Sequence, residues 1–247
     1  MRRRVALAAL LVVCVAAVLA YQSSRPAASG ADARVFVPSP RFYLDLSPSF
    51  RTSVADAYWL QTIQYYGEHL RSDNRFDSLW PMLDLVTTLS PRFEQAYFTG
   101  AFALIDAGRP DRAYGLLKRG MAANPAEWRF PAYLGFFAYT FGSEELKEKW
   151  AAHWYAKAAA LPGRPAYVPR LAAALLTKSG ARDKAIAMWA SVYAEGDKYS
   201  REKAVKALGA LLATDAQERA KELASVRTMM SPQAYFQLLQ DLGMGSS

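Results

Sequence analysis

Small and apolar residues recur along this chain with the period of amphipathic helices, and the pattern itself repeats. Pro91 and Pro125 lie 34 residues apart, and Gly67, Ala101 and Gly135 are separated by two steps of the same length. Around these positions apolar side chains occur every three or four residues, as on one face of a helix. A repeat of this length predicts stacked pairs of helices, each packed on the next, in place of one closed core.

Four helix pairs are predicted between Ala55 and Tyr193, each with an apolar stripe on its first helix and a polar turn before its second. The second pair is the most regular, and its second helix stops at Pro125, because proline cannot continue a helix. The predicted first-helix stripes are Ile63, Tyr66, Gly67 and Leu70; Tyr97, Gly100, Ala101 and Leu104; Pro131, Leu134, Gly135 and Ala138; and Pro169, Ala172, Ala173 and Leu176.

The third pair departs from the regular spacing. Gly135 and Ala151 are 16 residues apart, whereas the corresponding Ala101 and Ala113 of the second pair are 12 apart. The four extra residues fall around 142–145, and we expect them to lengthen either a helix end or the turn.

Three further helices are predicted after Tyr193. Each begins near a residue whose side-chain oxygen can accept hydrogen bonds from the first turn of a helix. These residues are Ser200 for the first helix, Thr214 or Asp215 for the second and Ser231 for the third. These helices would cover the apolar end of the repeat array.

The beginning of the chain has the composition of a membrane segment. Three arginines, Arg2 to Arg4, precede an uninterrupted apolar run over residues 5–20. This predicts a signal-anchor or transmembrane helix over residues 1–21, with the arginines in the cytoplasm and the rest of the chain across the membrane. Cleavage after Ala20 is the alternative, and it would release the protein into the periplasm of a bacterium. Residues 22–40 are predicted to be a flexible linker, followed by a helical repeat domain over residues 41–247.

The net charge of +8 does not indicate a nucleic-acid-binding protein. Four arginines lie in the first thirty residues, which contain no acidic residue, so the remainder has 26 basic and 22 acidic groups and a net charge of +4. Beyond residue 40 the two signs are interspersed, whereas nucleic-acid binding needs basic groups gathered on one face. The single cysteine, Cys14, excludes a disulfide within the chain.

No pattern in the sequence indicates catalysis. The two histidines, His69 and His153, have no second histidine or cysteine at metal-ligand spacing, and the chain lacks glycine-rich phosphate loops and nucleophile-elbow motifs. We therefore expect no catalytic, cofactor-binding or metal-binding residues, no small-molecule substrate, and no enzyme activity.

The interval, the small residues within it and the terminal prolines resemble the tetratricopeptide repeat family. A looser resemblance links the chain to uncharacterised bacterial membrane-anchored repeat proteins, through the segment Ala-Asp-Ala-Tyr-Trp-Leu at residues 55–60 and an aromatic segment at residues 128–136. These resemblances imply an all-α solenoid of helical hairpins at the bacterial inner membrane, with the repeat domain in the periplasm.

In the tetratricopeptide repeat family the first helices line a concave groove that binds other proteins. Repeat register then implies that this groove would hold an apolar helix or an extended peptide. Two other arrangements stay open, since the linker or N-terminal segment could fill the groove, or its rings could be buried in the core. The implied partner-binding residues are Phe98, Phe102, Ile105, Phe136, Tyr139 and Arg170.

Such repeats serve many tasks, so the fold alone does not define one. The resemblance favours a scaffold that assembles a cell-envelope complex of pilus, secretion or respiratory type. A permanent structural or accessory subunit of a membrane complex is the alternative.

Overall fold

The computed structural model describes residues 36–45 and 48–244, together with Val13 and Ala16. From residue 36 onward, the described residues form twelve helices and no strand, which confirms the predicted all-α class. The helices are α1 Arg41–Leu44, α2 Pro48–Arg71, α3 Leu79–Leu89, α4 Glu94–Asp106, α5 Pro110–Ala123, α6 Arg129–Phe141, α7 Lys147–Ala159, α8 Tyr167–Lys178, α9 Arg182–Glu195, α10 Lys198–Leu211, α11 Ala216–Arg227 and α12 Pro232–Asp241.

Apart from Val13 and Ala16, the predicted membrane helix over residues 1–21 lies outside the described residues, as does most of the predicted linker. Residues 36–39, at the end of that linker, have no regular secondary structure. No helix in the described part of the chain combines the length and the apolar character needed to cross a membrane.

Each helix from α2 to α10 packs mainly against the helices before and after it in the sequence. Helix α11 packs on α9 and α12, so the last helices fold over the end of the array. The buried side chains accordingly form two main clusters, one around Tyr97 and Phe130 and the other around Trp189 and Leu208. The helices thus form a row of successive hairpins, as a solenoid does.

Three glycines lie where helices approach each other too closely for a side chain. A Cβ atom would stand 2.6 Å from Leu83 at Gly100, 2.8 Å from Tyr97 at Gly120 and 2.7 Å from Tyr155 at Gly135. Gly100 and Gly135 belong to the predicted stripes, so the repeat marks real helix contacts in the second and third hairpins.

The first hairpin differs from the prediction. Ile63 and Leu70, predicted to face α3, are 40% and 47% exposed, whereas Thr62 and Tyr65 are buried. The Tyr65 hydroxyl accepts a hydrogen bond from the Ser78 amide at 3.2 Å and donates to the Arg75 carbonyl at 3.1 Å. These bonds fix the rotation of α2 and turn Ile63 and Leu70 outward.

Two of the four extra residues of the third hairpin lengthen its turn, and the two helix ends beside the turn take one each. Helix α6 ends at Phe141 and α7 begins at Lys147, which leaves residues 142–146 between them. The equivalent turn of the second hairpin is residues 107–109, where Gly108 takes a φ of +68°. An open cleft lies between the longer turn and helices α5, α6 and α7.

Two of the predicted helix caps are confirmed and one is wrong. The carboxylate of Asp215 accepts from the amides of Gln217 and Glu218, and the Ser231 hydroxyl accepts from the Ala234 amide. Helix α10 is capped by Asp197, which accepts from the Ser200 amide at 2.8 Å, so Ser200 lies inside the helix.

Helix α12 is joined to α9 by a partly buried hydrogen bond. The Tyr193 hydroxyl donates to a carboxylate oxygen of Asp241 at 2.6 Å. Burial, together with the hydrogen bond and the negative charge of Asp241, raises the pKa of Tyr193 to about 12.

We expect Gly120→Ala to lower the free energy of unfolding by about 1–3 kcal/mol, because the new methyl group overlaps the rings of Tyr97 and Phe130. Gly115→Ala in the same helix is the matched control, since no atom lies within 4 Å of the point where its Cβ would stand. That substitution should stabilise the protein by roughly 0.5–1 kcal/mol through helix propensity. Urea unfolding followed by circular dichroism measures both changes in the free energy of unfolding. Equal changes for the two variants would contradict the close approach of Tyr97 and Phe130 to Gly120.

We expect Tyr193→Phe to cost about 1 kcal/mol near neutral pH, because the hydrogen bond to Asp241 is lost. The pKa of Tyr193 is about 12 in the folded protein, above its ordinary value of 10.0. The stabilisation from this hydrogen bond is therefore complete below pH 10.0 and is lost as the pH rises towards the folded-state pKa. Urea unfolding across this alkaline range should therefore show that the free energies of unfolding of wild type and Tyr193→Phe become more similar as the pH rises. Tyr235→Phe is the control, and the difference between its free energy of unfolding and that of wild type should stay the same. A constant difference between wild type and Tyr193→Phe would argue against the hydrogen bond.

Candidate functional site

Aromatic side chains from four helices and one connecting segment surround an open groove on the second and third hairpins. Its volume is about 260 Å³. We call this surface the aromatic groove; it is lined by Phe102, Trp128, Arg129, Ala132, Tyr133, Phe136, Tyr155 and Tyr167.

The repeat places the central rings of the groove side by side. Phe102 of α4 and Phe136 of α6 occupy equivalent positions 34 residues apart, and their ring centroids are 6.2 Å apart. Tyr133, one helical turn before Phe136, meets Phe102 edge to face at 5.5 Å. Edge-to-face and tilted contacts are favourable arrangements of aromatic rings, so these side chains hold one another in place.

The groove is closed at one side by rings outside the six predicted partner-binding residues. Trp128, just before α6, meets Tyr167 of α8 edge to face at 6.3 Å. Tyr155 of α7 lies under Gly135, where the absence of a side chain lets the tyrosine ring approach α6. Burial raises the pKa of the Tyr155 hydroxyl, which therefore stays protonated at physiological pH and can donate a hydrogen bond to a bound molecule.

Phe102 and Phe136 remain 39% exposed although they belong to this cluster. Tyr167 is more exposed still, at the edge of the groove. A contiguous patch of exposed aromatic rings is a feature of surfaces that bind other molecules. Tyrosine and tryptophan add polar atoms to such a patch, so it can bind both apolar and hydrogen-bonding groups.

Phe98 forms the floor of the groove and does not reach its surface. It is only 6% exposed, and its ring packs on Phe130 at 4.6 Å and on Tyr133 at 5.0 Å. The repeat register predicts that Phe98 contacts a partner together with the exposed rings, and its burial shows that this prediction is wrong. Phe98 lies one turn before Phe102 and therefore faces the beginning of α6, where Phe130 fills the space beside it.

Arg129, the one cation among the described residues that line the groove, is ion-paired within the protein. Its guanidinium lies 5.0 Å from the centre of the Phe98 ring and pairs with both Glu94 and Glu127. The hydrogen bond from Arg129 is the largest influence on Glu127 and holds the pKa of that carboxyl below its usual value. Since two carboxylates more than offset the guanidinium, a partner meets a mainly apolar surface in which Arg129 offers little attraction to acidic groups.

The remaining three predicted groove residues lie elsewhere. Ile105 lines a separate cleft near the turn after α6. Tyr139 is exposed at the end of α6, with the ammonium groups of Lys147 and Lys178 within 6.0 Å of its ring. Arg170 stacks on Tyr199 at 4.9 Å and donates to the Ser200 hydroxyl at 2.9 Å, so it joins α8 to α10.

The described residues contain no group of three or more histidine, cysteine, aspartate and glutamate side chains that could hold a metal ion. His69 is paired with Asp73 at 2.6 Å, and His153 packs edge to face on Trp154 at 5.0 Å. Both histidines thus make structural contacts. The aromatic groove supplies binding contacts, with no nucleophile and base brought together in it.

In comparisons with known proteins, no family model matches the chain, and no curated protein matches it.

We expect Phe98→Ala to lower the free energy of unfolding by about 3–5 kcal/mol, because it empties a buried space among aromatic rings. Phe102→Ala should cost clearly less, since much of that ring is already in contact with water. Urea unfolding compares the two variants directly. Equal losses would mean that Phe102 is part of the core, and the aromatic groove would not be a free surface.

Proposed function

We propose that this protein is a membrane-anchored tetratricopeptide repeat protein that binds other proteins through the aromatic groove. One observation carries the proposal: Phe102 and Phe136, equivalent residues of successive repeats, stand side by side and partly exposed. Rings held in position before binding lose little conformational freedom when a partner docks, which favours tight association.

The chemistry of the groove favours an apolar segment as the partner. Its lining is aromatic apart from Ala132 and Arg129, and the charge of Arg129 is more than offset by two paired glutamates. A volume of about 260 Å³ accommodates a small number of side chains, not a whole domain. We infer that an apolar helix face or an extended peptide lays its side chains among these rings, while tyrosine hydroxyls bond its polar groups.

The N-terminal sequence supports a place for this binding at the cell envelope. An apolar run over residues 5–20 behind three arginines would anchor the chain, and residues 22–40 would let the repeat domain stand away from the bilayer. In this proposal the groove faces the periplasm and recruits components during assembly of an envelope complex.

A second candidate function is favoured by the outer face of α2. Leu60, Ile63 and Leu70 are exposed on one face of this 24-residue helix, beyond its contact with α3. Such a face is typical of a permanent interface. The protein would then be a structural subunit of a membrane complex, bound through α2 and independent of the aromatic groove.

We expect a photo-crosslinking amino acid at Ala132, on the groove wall, to capture a defined protein in intact membranes. When the same crosslinker is placed in a variant that carries both Phe102→Ala and Phe136→Ala, the yield of the crosslinked product should fall roughly tenfold. A loss of this size is expected when the residues that contribute most to an interface are removed. Mass spectrometry of the product identifies the partner, and urea unfolding confirms that the variant is folded.

The control variant combines Phe42→Ala with Phe236→Ala, which removes two exposed rings far from the groove and should leave the yield unchanged. A crosslinker at Ala57, exposed on α2, tests the second function. Two results together would favour the structural subunit over the adaptor. Crosslinking from Ala57 would still occur when the membranes are dissolved in detergent and high salt before irradiation, and capture at Ala132 would be unaltered in Phe102→Ala with Phe136→Ala.

A further inference from the structure

The outer face of α2 carries an apolar stripe on the side turned away from the rest of the protein. Thr62 is buried, whereas Leu60, about half a turn away around the helix, is 65% exposed. Ile63 and Leu70 are exposed as well. Together with Gly67 these three residues are spaced by three and four positions, so they form one continuous stripe. An uncovered apolar stripe gives α2 a second surface that is suited to packing.

Gly67 leaves a gap in the middle of this stripe. Among the described residues outside the backbone of its own helix, the nearest atom to the point where a Cβ would stand is the end of the Arg71 side chain, at 3.8 Å. The fold of one chain therefore leaves room for a side chain at Gly67, although glycine weakens a helix relative to alanine. The equivalent residues of the next two repeats, Ala101 and Gly135, are buried in helix contacts. The outer face of α2 thus has the form of a helix contact surface.

Opposite charges stand at the two ends of the stripe. Asp56 lies one turn before Leu60, Arg71 lies one turn after Gly67, and both charged residues are exposed. Neither forms an ion pair with another described residue. They are 15 residues apart, which is about 22 Å along a helix, so they cannot pair with each other within one copy.

We propose that two copies of this protein pair through the outer faces of their α2 helices. The two helices lie antiparallel about a two-fold axis that passes between Ile63 and Gln64. Leu60 precedes this axis by as many residues as Gly67 follows it, so the leucine of each copy fits over the glycine of the other. The two Ile63 side chains meet beside the axis. Glycine allows the close approach that this packing needs.

Two ion pairs form at the ends of the same interface. Asp56 precedes the axis by as many residues as Arg71 follows it, so each carboxylate comes opposite the guanidinium of the other copy. A two-fold interface requires a face that is complementary to itself. Leucine against glycine and aspartate against arginine meet this requirement in the antiparallel arrangement. A parallel pair would instead bring the two Asp56 carboxylates together.

The charge pattern favours a second copy over a lipid surface. Anionic lipids attract clusters of lysine and arginine, whereas this face presents Asp56 and Glu68 beside the single cation Arg71. The interface is small, with three apolar side chains from each copy, so we expect the dimer to form reversibly. The inference does not depend on the aromatic groove. It assigns to a second copy the face that the second candidate function assigns to another subunit.

Disulfide crosslinking of the full-length protein in its native membrane tests the pairing. Gln64→Cys, in a Cys14→Ser background, places one cysteine beside the axis in each copy, within the short distance that a disulfide requires. Mild oxidation should then give a product of twice the chain mass, which mass spectrometry distinguishes from a product with another protein. Ser225→Cys, exposed on α11, is the control for random collision and should give at least tenfold less dimer.

The orientation of the two helices is tested by mixed crosslinking. Chains with Asp56→Cys and chains with Arg71→Cys, carrying different tags and expressed together, should form the mixed dimer. Asp56→Cys alone should form none, since the two cysteines would be about 22 Å apart in the antiparallel pair. Efficient self-crosslinking of Asp56→Cys would overturn the antiparallel arrangement.

Gly67→Leu separates the interface from the fold. The new side chain should stop Leu60 of the other copy from approaching and lower the Gln64→Cys dimer at least tenfold, while circular dichroism shows an intact helical fold. Gly115→Leu is the matched control, because no atom lies within 4 Å of its Cβ position either, and it should leave the dimer unchanged. An undiminished dimer in Gly67→Leu would contradict the proposed packing.

A charge exchange provides the last test. Asp56→Arg alone and Arg71→Asp alone should each lower the Gln64→Cys dimer roughly fivefold, because like charges then face each other. The two substitutions together restore opposite charges and should return the yield to its original level. If the double variant crosslinks no better than the single ones, or if Gln64→Cys links only to another protein, the outer face of α2 does not bind a second copy and the proposal fails.

Discussion

Close packing of glycine against large side chains is the constraint on which this architecture depends. At Gly100, Gly120 and Gly135 the backbone of one helix touches Leu83, Tyr97 or Tyr155 of another. Since interiors are packed as densely as organic crystals, even a methyl group at such a contact displaces its neighbour. Helices α3, α4 and α5, and likewise helices α6 and α7, are thereby held close together, and the surfaces beside them take their shape from that spacing.

The surfaces of the second and third hairpins differ according to whether the spacing is kept. Where the interval of 34 residues holds, equivalent positions of α4 and α6 meet and Phe102 stands beside Phe136. Where the turn over residues 142–146 departs from the interval, a separate open cleft lies between that turn and helices α5, α6 and α7. The aromatic groove therefore lies where the repeat is regular, and the cleft lies where it is not.

The repeat interval and the small residues within it predicted the all-α class, the close contacts at Gly100 and Gly135 and the equivalent positions of Phe102 and Phe136, because these depend on local periodicity. They did not predict features that depend on partners outside the helix concerned. Arg170 is held by Tyr199 and Ser200 on α10, and the rotation of α2 is set by hydrogen bonds between Tyr65 and the segment that joins α2 to α3. Periodicity describes which side of a helix is apolar, but contacts between separate elements decide which apolar residues are covered.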